Sequence, residues 1–577
     1  MKVMPWQTSC HHDISKCSTI PSSVRYAEEE STSDSKTETI KNRFAIANQE
    51  FQPGEIVLRN APLACSLFSS LVSDRQQSQS QRCAYCFVPG SEQKLSRCGR
   101  CQSVWYYCSR DCQKKDFPLH KKECIYWTTK NKDKAKQLNG RIRAEISLLI
   151  RTYAKIEVMQ ANKQQGESSE NTAVSSQSTK NTTIIQSGIQ HLASLSQYPN
   201  ALDSNEQSII TEATTAILIW SKHQEGAEKK KKKEPPNNDK TTTTVGIIDK
   251  KDHQNIRQQM EDLLRIFRVN NFGITDELLK VIASAVYPLG ALLNHSCRPN
   301  CILRYSYNNK KAPPVLEIVA SRCIQKGEEL THSYVELVKP QRVRKERLQS
   351  NYGFECHCHR CCSHNHNNNT SNDWMQLQDS NQVGTFLDHS NPTFAASQTW
   401  TPPALPRGTN HDDAHGPLRE MAIQLQAQAK QCMAMDNIEG ELMSLTQCVG
   451  VLSQLLRAQL GDGSNQGHDD DTLHQTCLEL YQVRGDLLGT LIVAGQTKEA
   501  IQQCEYVVAF LVSILCDKET ANCPNHPILG LQLFTLGDLY TSVGWDDKAQ
   551  RTFAWARKIM LVSHGKDSDM VKLLKDR

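Results

Sequence analysis

The sequence predicts an α+β chain. A mostly-β half is split by a cysteine-rich finger and a helical insert. A short cysteine-anchored segment and an all-α C-terminal half follow. Three observations carry this. Eight Cys and His side chains stand in four close pairs between Cys83 and Cys124. Strand-like runs lie on both sides of them, Ile56-Val57-Leu58 before and Val315-Leu316-Glu317-Ile318-Val319 after. Beyond residue 415 the pattern is helical to the end.

The pairs are Cys83-x2-Cys86, Cys98-x2-Cys101, Cys108-x3-Cys112 and His120-x3-Cys124. A close pair lets two soft ligands reach one metal from a tight turn, so four pairs complete two tetrahedral zinc sites. Interleaving is expected in a unit too small for its own core. Cys83, Cys86, Cys108 and Cys112 share one ion; Cys98, Cys101, His120 and Cys124 share the other. A second set, Cys356-x-Cys358-x2-Cys361, supplies only three ligands. Cys297 is the best fourth, which makes three Zn2+ ions in all. The plainer reading is buried thiols or disulfides. A secreted disulfide scaffold needs an export signal, and residues 1–25 hold His11, His12 and Asp13 with no apolar run. The other cysteines (Cys10, Cys17, Cys65, Cys301, Cys323, Cys362, Cys432, Cys448, Cys477, Cys504, Cys516 and Cys523) lack ligand spacing and read as small buried hydrophobes.

The 577 residues carry 67 Lys and Arg against 62 Asp and Glu, a net charge of +5. No strong global field recruits nucleic acid. The longest nearly unbroken apolar stretch, Val507 to Cys516, is ten residues and too short to span a bilayer. A soluble intracellular monomer with no membrane contact is expected.

Taken in order, residues 1–40 are polar, and Ser31 to Thr39 reads as disordered. From Arg43 to Leu67 the chain alternates, with a turn at Pro53-Gly54. Residues 135–160 have helical spacing at Leu138, Ile142, Ile146, Leu149 and Ile150, and 183–222 are helical again. Low-complexity breaks at 161–182 and 223–254 read as surface insertions. The second contains Lys229 to Lys233, a charged loop or a nuclear import signal, so nucleus and cytoplasm are both expected. Residues 363–415 are Asn/Ser/Pro/His-rich and form a linker. Gly495-x4-Ala500 and Gly544-x4-Ala549, 49 residues apart, suggest stacked helix pairs of the tetratricopeptide type. A generic helical bundle is the alternative.

Chemistry concentrates between 268 and 354. Asn294-His295-Ser296-Cys297-Arg298-Pro299-Asn300-Cys301 is polar, yet follows the apolar Leu289 to Leu293. Polar groups beside a core need a ligand or backbone partners. Gly327-Glu328-Glu329-Leu330 leads to Tyr334, and Tyr352-Gly353-Phe354 precedes the second cysteine set.

In these motifs the chain closely resembles the SET and MYND domain-containing protein-lysine methyltransferases. The resemblance covers about residues 24–362 and extends more weakly into the helical half through His526-Pro527 and His564-Gly565. It implies a disordered 1–23, a SET domain begun at 24–82, and a MYND zinc finger at 83–124. A helical insert at 125–270, the SET core at 271–338 and a post-SET zinc segment at 339–362 follow. Beyond them lie the linker 363–415 and a tetratricopeptide-like domain at 416–577.

The resemblance also implies the site. Asn270, Asn294, His295 and Phe354 match positions that hold S-adenosyl-L-methionine, and Lys41-Asn42-Arg43 matches the first cofactor loop. Tyr334 matches the phenol at the point of methyl transfer and also touches the cofactor. Phe272 and Tyr352 match walls of the channel for the target lysine. Cys297, Cys356, Cys358 and Cys361 match the post-SET zinc ligands. The first loop is usually Gly-x-Gly and here reads Asn42-Arg43-Phe44; a finger position often held by Trp is Phe117. The implied partners are a protein substrate, histone or other, and proline-containing peptides at the finger. Arg97, Arg100, Arg110, Lys114, Lys115, Lys121 and Lys122 also allow weak, salt-sensitive nucleic-acid contact. The alternative reading is a catalytically inactive adaptor. The helical half is expected to dock through an apolar interface and to act on access.

Overall fold

The computed structural model describes residues 22–32, 39–68, 81–92, 94–101, 105–128, 138–166, 198, 200–231, 250–307, 312–362, 411–460, 470–515, 525–575 and 577. The expected disorder at 1–21, most of both low-complexity breaks, the linker through 410, and Cys10, Cys17, Cys516 and Cys523 lie outside the described residues.

The first half is small sheets threaded by helices. Strands β1 (Val24–Thr32) and β2 (Thr39–Ala47) form an antiparallel hairpin, followed by β3 (Ile56–Asn60) and β4 (Ala64–Leu67). The finger contributes β5 (Ser96–Arg97), β6 (Tyr106–Tyr107) and helix α1 (Arg110–Thr128). Helices α2 (Gly140–Gly166), α3 (Ser204–Lys231) and α4 (Lys250–Asn270) form the insert. Strands β7 (Asn271–Thr275), β8 (Val281–Val286), β9 (Asn294–His295), β10 (Cys301–Ser306), β11 (Val315–Ala320) and β12 (Thr331–His332) complete this half, and α5 (Gln341–Tyr352) and α6 (His359–Cys362) close it.

Two three-stranded sheets, β4-β8-β7 and β10-β11-β3, hold the core. Their middle strands β8 and β11 are buried almost throughout, which is why both read as near-continuous apolar runs. The one charge in β11, Glu317, is taken up across the sheet by Arg59 Nε at 2.9 Å and Arg304 Nε at 2.6 Å.

Among the described residues, the C-terminal half forms three successive helical hairpins: α7 (His411–Ala434) with α8 (Ile438–Leu460), α9 (Asp470–Val493) with α10 (Thr497–Leu515), and α11 (Pro527–Ser542) with α12 (Asp546–Ser563). A short α13 (Asp569–Leu573) follows. Each hairpin turns on a residue with positive φ: Asp436 at 54°, Gly495 at 71° and Gly544 at 76°. The two glycines are the repeat seen in the sequence. The first hairpin escaped notice because Asp, which tolerates the left-handed region, stands in place of Gly. Small residues do set the spacing of the last pair, since a Cβ on Gly537 would lie 2.5 Å from Phe553.

Several expectations are corrected. Ser31, Thr32 and Thr39 are paired strand rather than disorder, because β-branched Thr suits a hairpin. Helix begins at Ser204 among the described residues of 183–222. Both breaks are shorter than predicted: α2 runs on to Gly166, α3 to Lys231, and α4 starts at Lys250, since Lys, Gln, Glu and Ala extend helices cheaply. The linker ends early, as α7 starts at His411. Cys362 is exposed rather than buried, and Cys323 and Cys432 are half-buried.

Polar contacts join the halves. The Glu277 carboxylate accepts from Ser568 Oγ (3.0 Å) and from the backbone N–H groups of Asp569 (3.2 Å) and Met570 (3.1 Å). Asn525 Nδ2 donates to Ser321 O at 2.7 Å, and Arg304 Nη1 to Val562 O at 3.2 Å. Leu337 and Val338 also pack on the helical core. A cleft of about 580 Å³ lies between the halves, lined in part by Arg59, Glu277, Arg304, His564 and Lys566. Among the described residues, no helix is long and apolar enough to cross a membrane.

Candidate active site and metal centres

The three cysteine sets assemble as the spacing required. Cys83, Cys86, Cys108 and Cys112 converge, as do Cys98, Cys101, His120 and Cys124, and Cys297 with Cys356, Cys358 and Cys361; within each set all ligand atoms lie within 4.8 Å of one another. Zinc–sulfur bonds of about 2.3 Å in a tetrahedron give sulfur–sulfur edges of about 3.8 Å. The observed separations match: 3.5 Å for Cys86–Cys108 and for Cys108–Cys112, 3.9 Å for Cys98–Cys124, and 3.6 Å for Cys361–Cys297. Cys101 Sγ lies 3.6 Å from His120 Nε2, which fixes the nitrogen that faces the centre. The tetrads fit three zinc ions.

Their surroundings were not legible in the sequence. His120 Nδ1 is 3.1 Å from Glu123 Oε1. Glu123 accepts from Arg151 Nη2 at 2.6 Å, and Arg151 reaches Asp116 with bonds of 2.8 and 3.0 Å. Tyr107 OH completes the set, donating to Asp116 at 2.7 Å. All five side chains are buried. Burial alone would raise the Glu123 carboxyl, but the Arg151 guanidinium, the His120 ring and the Ser147 hydroxyl together hold the group below its ordinary range. A carboxylate behind a ligating histidine sets its tautomer and orientation. Because Arg151 belongs to α2, the finger is bolted to the insert. Around the third tetrad, buried Arg344 donates to Cys297 Sγ at 3.3 Å, and Arg360 to Cys297 O at 3.3 Å. Two guanidinium groups thus offset a centre whose four thiolates outweigh one dication.

The candidate active site lies beside that third tetrad. Strand β9 pairs in parallel with β12, Thr331 opposite Asn294 and His332 opposite His295. Asn300, buried at 2% exposure, staples the two segments: Thr331 N–H donates to its Oδ1 at 2.9 Å, and its Nδ2 donates to Glu329 O at 2.7 Å. Asn60 does the same one turn upstream, its Oδ1 accepting from Leu289 N–H at 3.0 Å and Gly290 N–H at 3.3 Å. Neither role is legible from spacing, because each Asn pairs with backbone distant in sequence.

Tyr334 is the hub. Its ring centroid is 4.8 Å from Tyr352, 4.9 Å from His332, 5.4 Å from His295 and 6.4 Å from Phe354. Phe272 extends the row, 6.0 Å from His332. The Tyr334 hydroxyl donates to Leu293 O at 2.6 Å. Desolvation pushes the phenol above its ordinary range, so at neutral pH it keeps its proton. His295 is engaged on both nitrogens: Tyr334 N–H donates to Nδ1 at 3.0 Å, and Nε2 faces Cys297 Sγ at 3.3 Å. Asn294 Nδ2 donates to Glu329 Oε1 at 3.0 Å, and Asn270 Nδ2 to Ile266 O at 2.8 Å at the end of α4.

Lys41, Asn42 and Arg43 are not in a loop. They lie within β2, opposite Glu30, Glu29 and Glu28, and the same strand continues beside Glu328 and Glu329 through Ala47 N–H to Glu328 O (2.9 Å) and an Ile46–Glu329 bridge. Without the glycines of a Gly-x-Gly turn, the segment stays extended.

Comparison with known proteins agrees with this layout. The MYND finger family model matches residues 83–124. Histone-lysine N-methyltransferase ASHR1 of Arabidopsis thaliana is 23% identical over 539 residues, 92% of either chain. The N-lysine methyltransferases SMYD2-B of Xenopus laevis and SMYD2 of Homo sapiens are 25% and 26% identical over 321 and 329 residues. Those two matches span 56% of this chain and 58% of theirs. With the finger matched, the cysteine tetrads assembled and one likeness running nearly end to end, the resemblance of the chain to the SET and MYND domain protein-lysine methyltransferases holds.

Proposed function

We propose that this protein transfers a methyl group from S-adenosylmethionine to lysine side chains of histone or other proteins, and that β1–β4 with β7–β12 are its SET domain. One observation carries the reading. Two segments far from it in sequence, at 295 and 352–354, converge with His332 on the ring of Tyr334, and Phe272 joins the row through His332.

The residues fit the group. Asn294 and Phe354 are only partly buried, so solvent reaches both side chains. Asn294, His295 and Phe354 would hold the cofactor, with Asn270 behind them and Lys41, Asn42 and Arg43 approaching on a strand. The cofactor supplies an electrophilic sulfonium methyl. Phe272 and Tyr352 would align the target side chain, and an apolar channel disfavours its ammonium form, which otherwise dominates below a pKa of about 10.4. Tyr334 would position rather than deprotonate. Its own proton is committed to Leu293 O, which leaves oxygen lone pairs to accept from the amine. The third tetrad, through His295 and Cys297, would fix the segment that carries this surface. The finger would bind proline-containing peptides, with weak nucleic-acid contact from its basic face.

Calorimetric titration with S-adenosylmethionine, followed by transfer of labelled methyl to core histones and to lysate proteins, tests the proposal. Binding with labelled lysine supports it. The adaptor reading draws support from the extended Lys41-Asn42-Arg43 segment, and a folded, zinc-loaded protein that binds no cofactor would favour it.

A further inference from the structure

The three hairpins of the helical half turn at the same end. Successive helices pack side by side and antiparallel, so the turns at Asp436, Gly495 and Gly544 share one end of the array, and the connections between hairpins share the other. The turns are also joined to one another. Thr490 Oγ1 donates to Glu441 Oε1 at 3.0 Å, tying the second to the first. A cavity of about 370 Å³ lies between the second and the third, lined in part by Ile492, Thr497, Phe534, Leu539 and Ser542. The opposite end is the one that meets the rest of the chain. There His474 Nε2 lies 3.1 Å from Val338 O, and Asn525 Nδ2 donates to Ser321 O at 2.7 Å. The turns therefore point away from the half that carries the candidate active site.

This outer end is apolar. The described residues expose fourteen large apolar side chains, and six of them stand within three residues of the three turns. They are Met433, Met435, Ile438, Ile492, Val493 and Trp545. A single exposed apolar side chain is ordinary, whereas a cluster over adjoining turns marks an interaction surface. Helix formation does not require them, since Lys, Gln or Glu would serve as well at the ends of α7, α8 and α9. Charge indicates the partner. Within four residues of the turn positions stand Asp436, Glu439, Glu499, Asp546 and Asp547, all exposed, against Lys498 and Lys548. The Lys548 ammonium is folded back over the rings of Tyr540 and Trp545, 5.6 and 4.7 Å from their centroids.

We infer that the outer end of the helical half is a docking surface for a basic amphipathic helix of a partner protein. Packed helices lie about 8–10 Å apart, so three stacked turns span on the order of 20 Å, the length of about 13 residues of helix. The apolar stripe of that helix covers the six exposed side chains, and one of its residues enters the cavity beside Phe534 and Leu539. Its flanking Lys and Arg meet the carboxylates. The surface holds a partner away from the candidate active site, so the inference does not depend on methyl transfer.

The test uses the full chain and three fluorescein-labelled 14-residue peptides as probes, the length being about that of the surface. One carries Leu and Lys at helical spacing, one Leu and Glu, and one Ser and Lys. Binding is read by fluorescence anisotropy and self-association by sedimentation velocity. The Leu/Lys peptide should bind about tenfold or more tightly than either of the others, and salt should weaken it. Met435→Lys with Val493→Lys should weaken that binding about tenfold or more, because apolar contact is lost and repulsion added. These side chains are 68% and 70% exposed, so zinc content and denaturation midpoint should stay at the parent values. Glu439→Lys with Asp546→Lys, which removes no apolar group, should weaken binding several-fold. Val158→Lys, exposed on α2 of the other half, should leave it unchanged. Equal binding of the Leu/Glu peptide, no binding of the Leu/Lys peptide, or unchanged affinity in either double variant overturns the inference. Dimerisation of the parent that Met435→Lys with Val493→Lys abolishes also overturns it, since the end then belongs to a second copy of the chain.

Discussion

The backbone N–H of Tyr334 donates to Nδ1 of His295 at 3.0 Å, and the same imidazole turns its Nε2 to Cys297 Sγ at 3.3 Å. The central phenol is thus two contacts from a metal tetrad. Metal binding and placement of Tyr334 are coupled through one ring.

Metal analysis should therefore give three zinc ions per chain. Cys361→Ser should lower this to two and also weaken cofactor binding, because Cys297 and His295 lose their anchor. Cys108→Ser should likewise lose one ion but leave cofactor affinity nearly unchanged. Equal effects of the two variants on cofactor affinity would refute the coupling.

Tyr334→Phe should reduce methyl transfer by about a hundredfold or more and change cofactor affinity only a few-fold, since the hydroxyl acts on the reacting amine. The variant also leaves Leu293 O without its donor, at about 1 kcal/mol of stability. Undiminished transfer would remove Tyr334 from the mechanism.

Arg151→Met should be severely destabilising. It leaves Asp116 and Glu123, both buried, without their cation. Breaking such a network by removing one partner costs about 3–5 kcal/mol, well above a surface ion pair. Urea denaturation followed with zinc release should show the loss beginning at the finger. A shift under about 1 kcal/mol would mean that the network is not what bolts finger to insert.

His332 predicts an acid-side loss of stability. Burial lowers its pKa from 6.5 to about 4, so the unfolded chain takes up the proton first as pH falls. The contribution is fully present above pH 6.5 and is lost progressively down to about 4. At about 1.4 kcal/mol per pKa unit its upper size is about 3 kcal/mol. His332→Ile should show a shallower decline in denaturation midpoint between about pH 7 and about pH 5 than the parent. Parallel profiles would show that the ring is not buried neutral.

The sequence by itself determined the metal centres and the class of the chain. Ligand spacing is a local property, so Cys83 through Cys124 and Cys356 through Cys361 could be read pair by pair. Ile56–Asn60 and Val315–Ala320 were legible as strands for a similar reason, since both are short runs of strand-forming residues. Only the tertiary structure decided what joins across distance. Asn300 stapling β12, Asn60 holding Leu289, Arg151 spanning two carboxylates, and Glu277 capping α13 each pair residues with no spacing rule between them. The docking of the helical half shows the difference most directly. An apolar interface was expected, and Leu337 and Val338 do pack on the helical core, while most apolar residues of this half pack its hairpins on one another. Polar contacts join it, because backbone groups at the ends of α12 and α13 find partners on the opposite half.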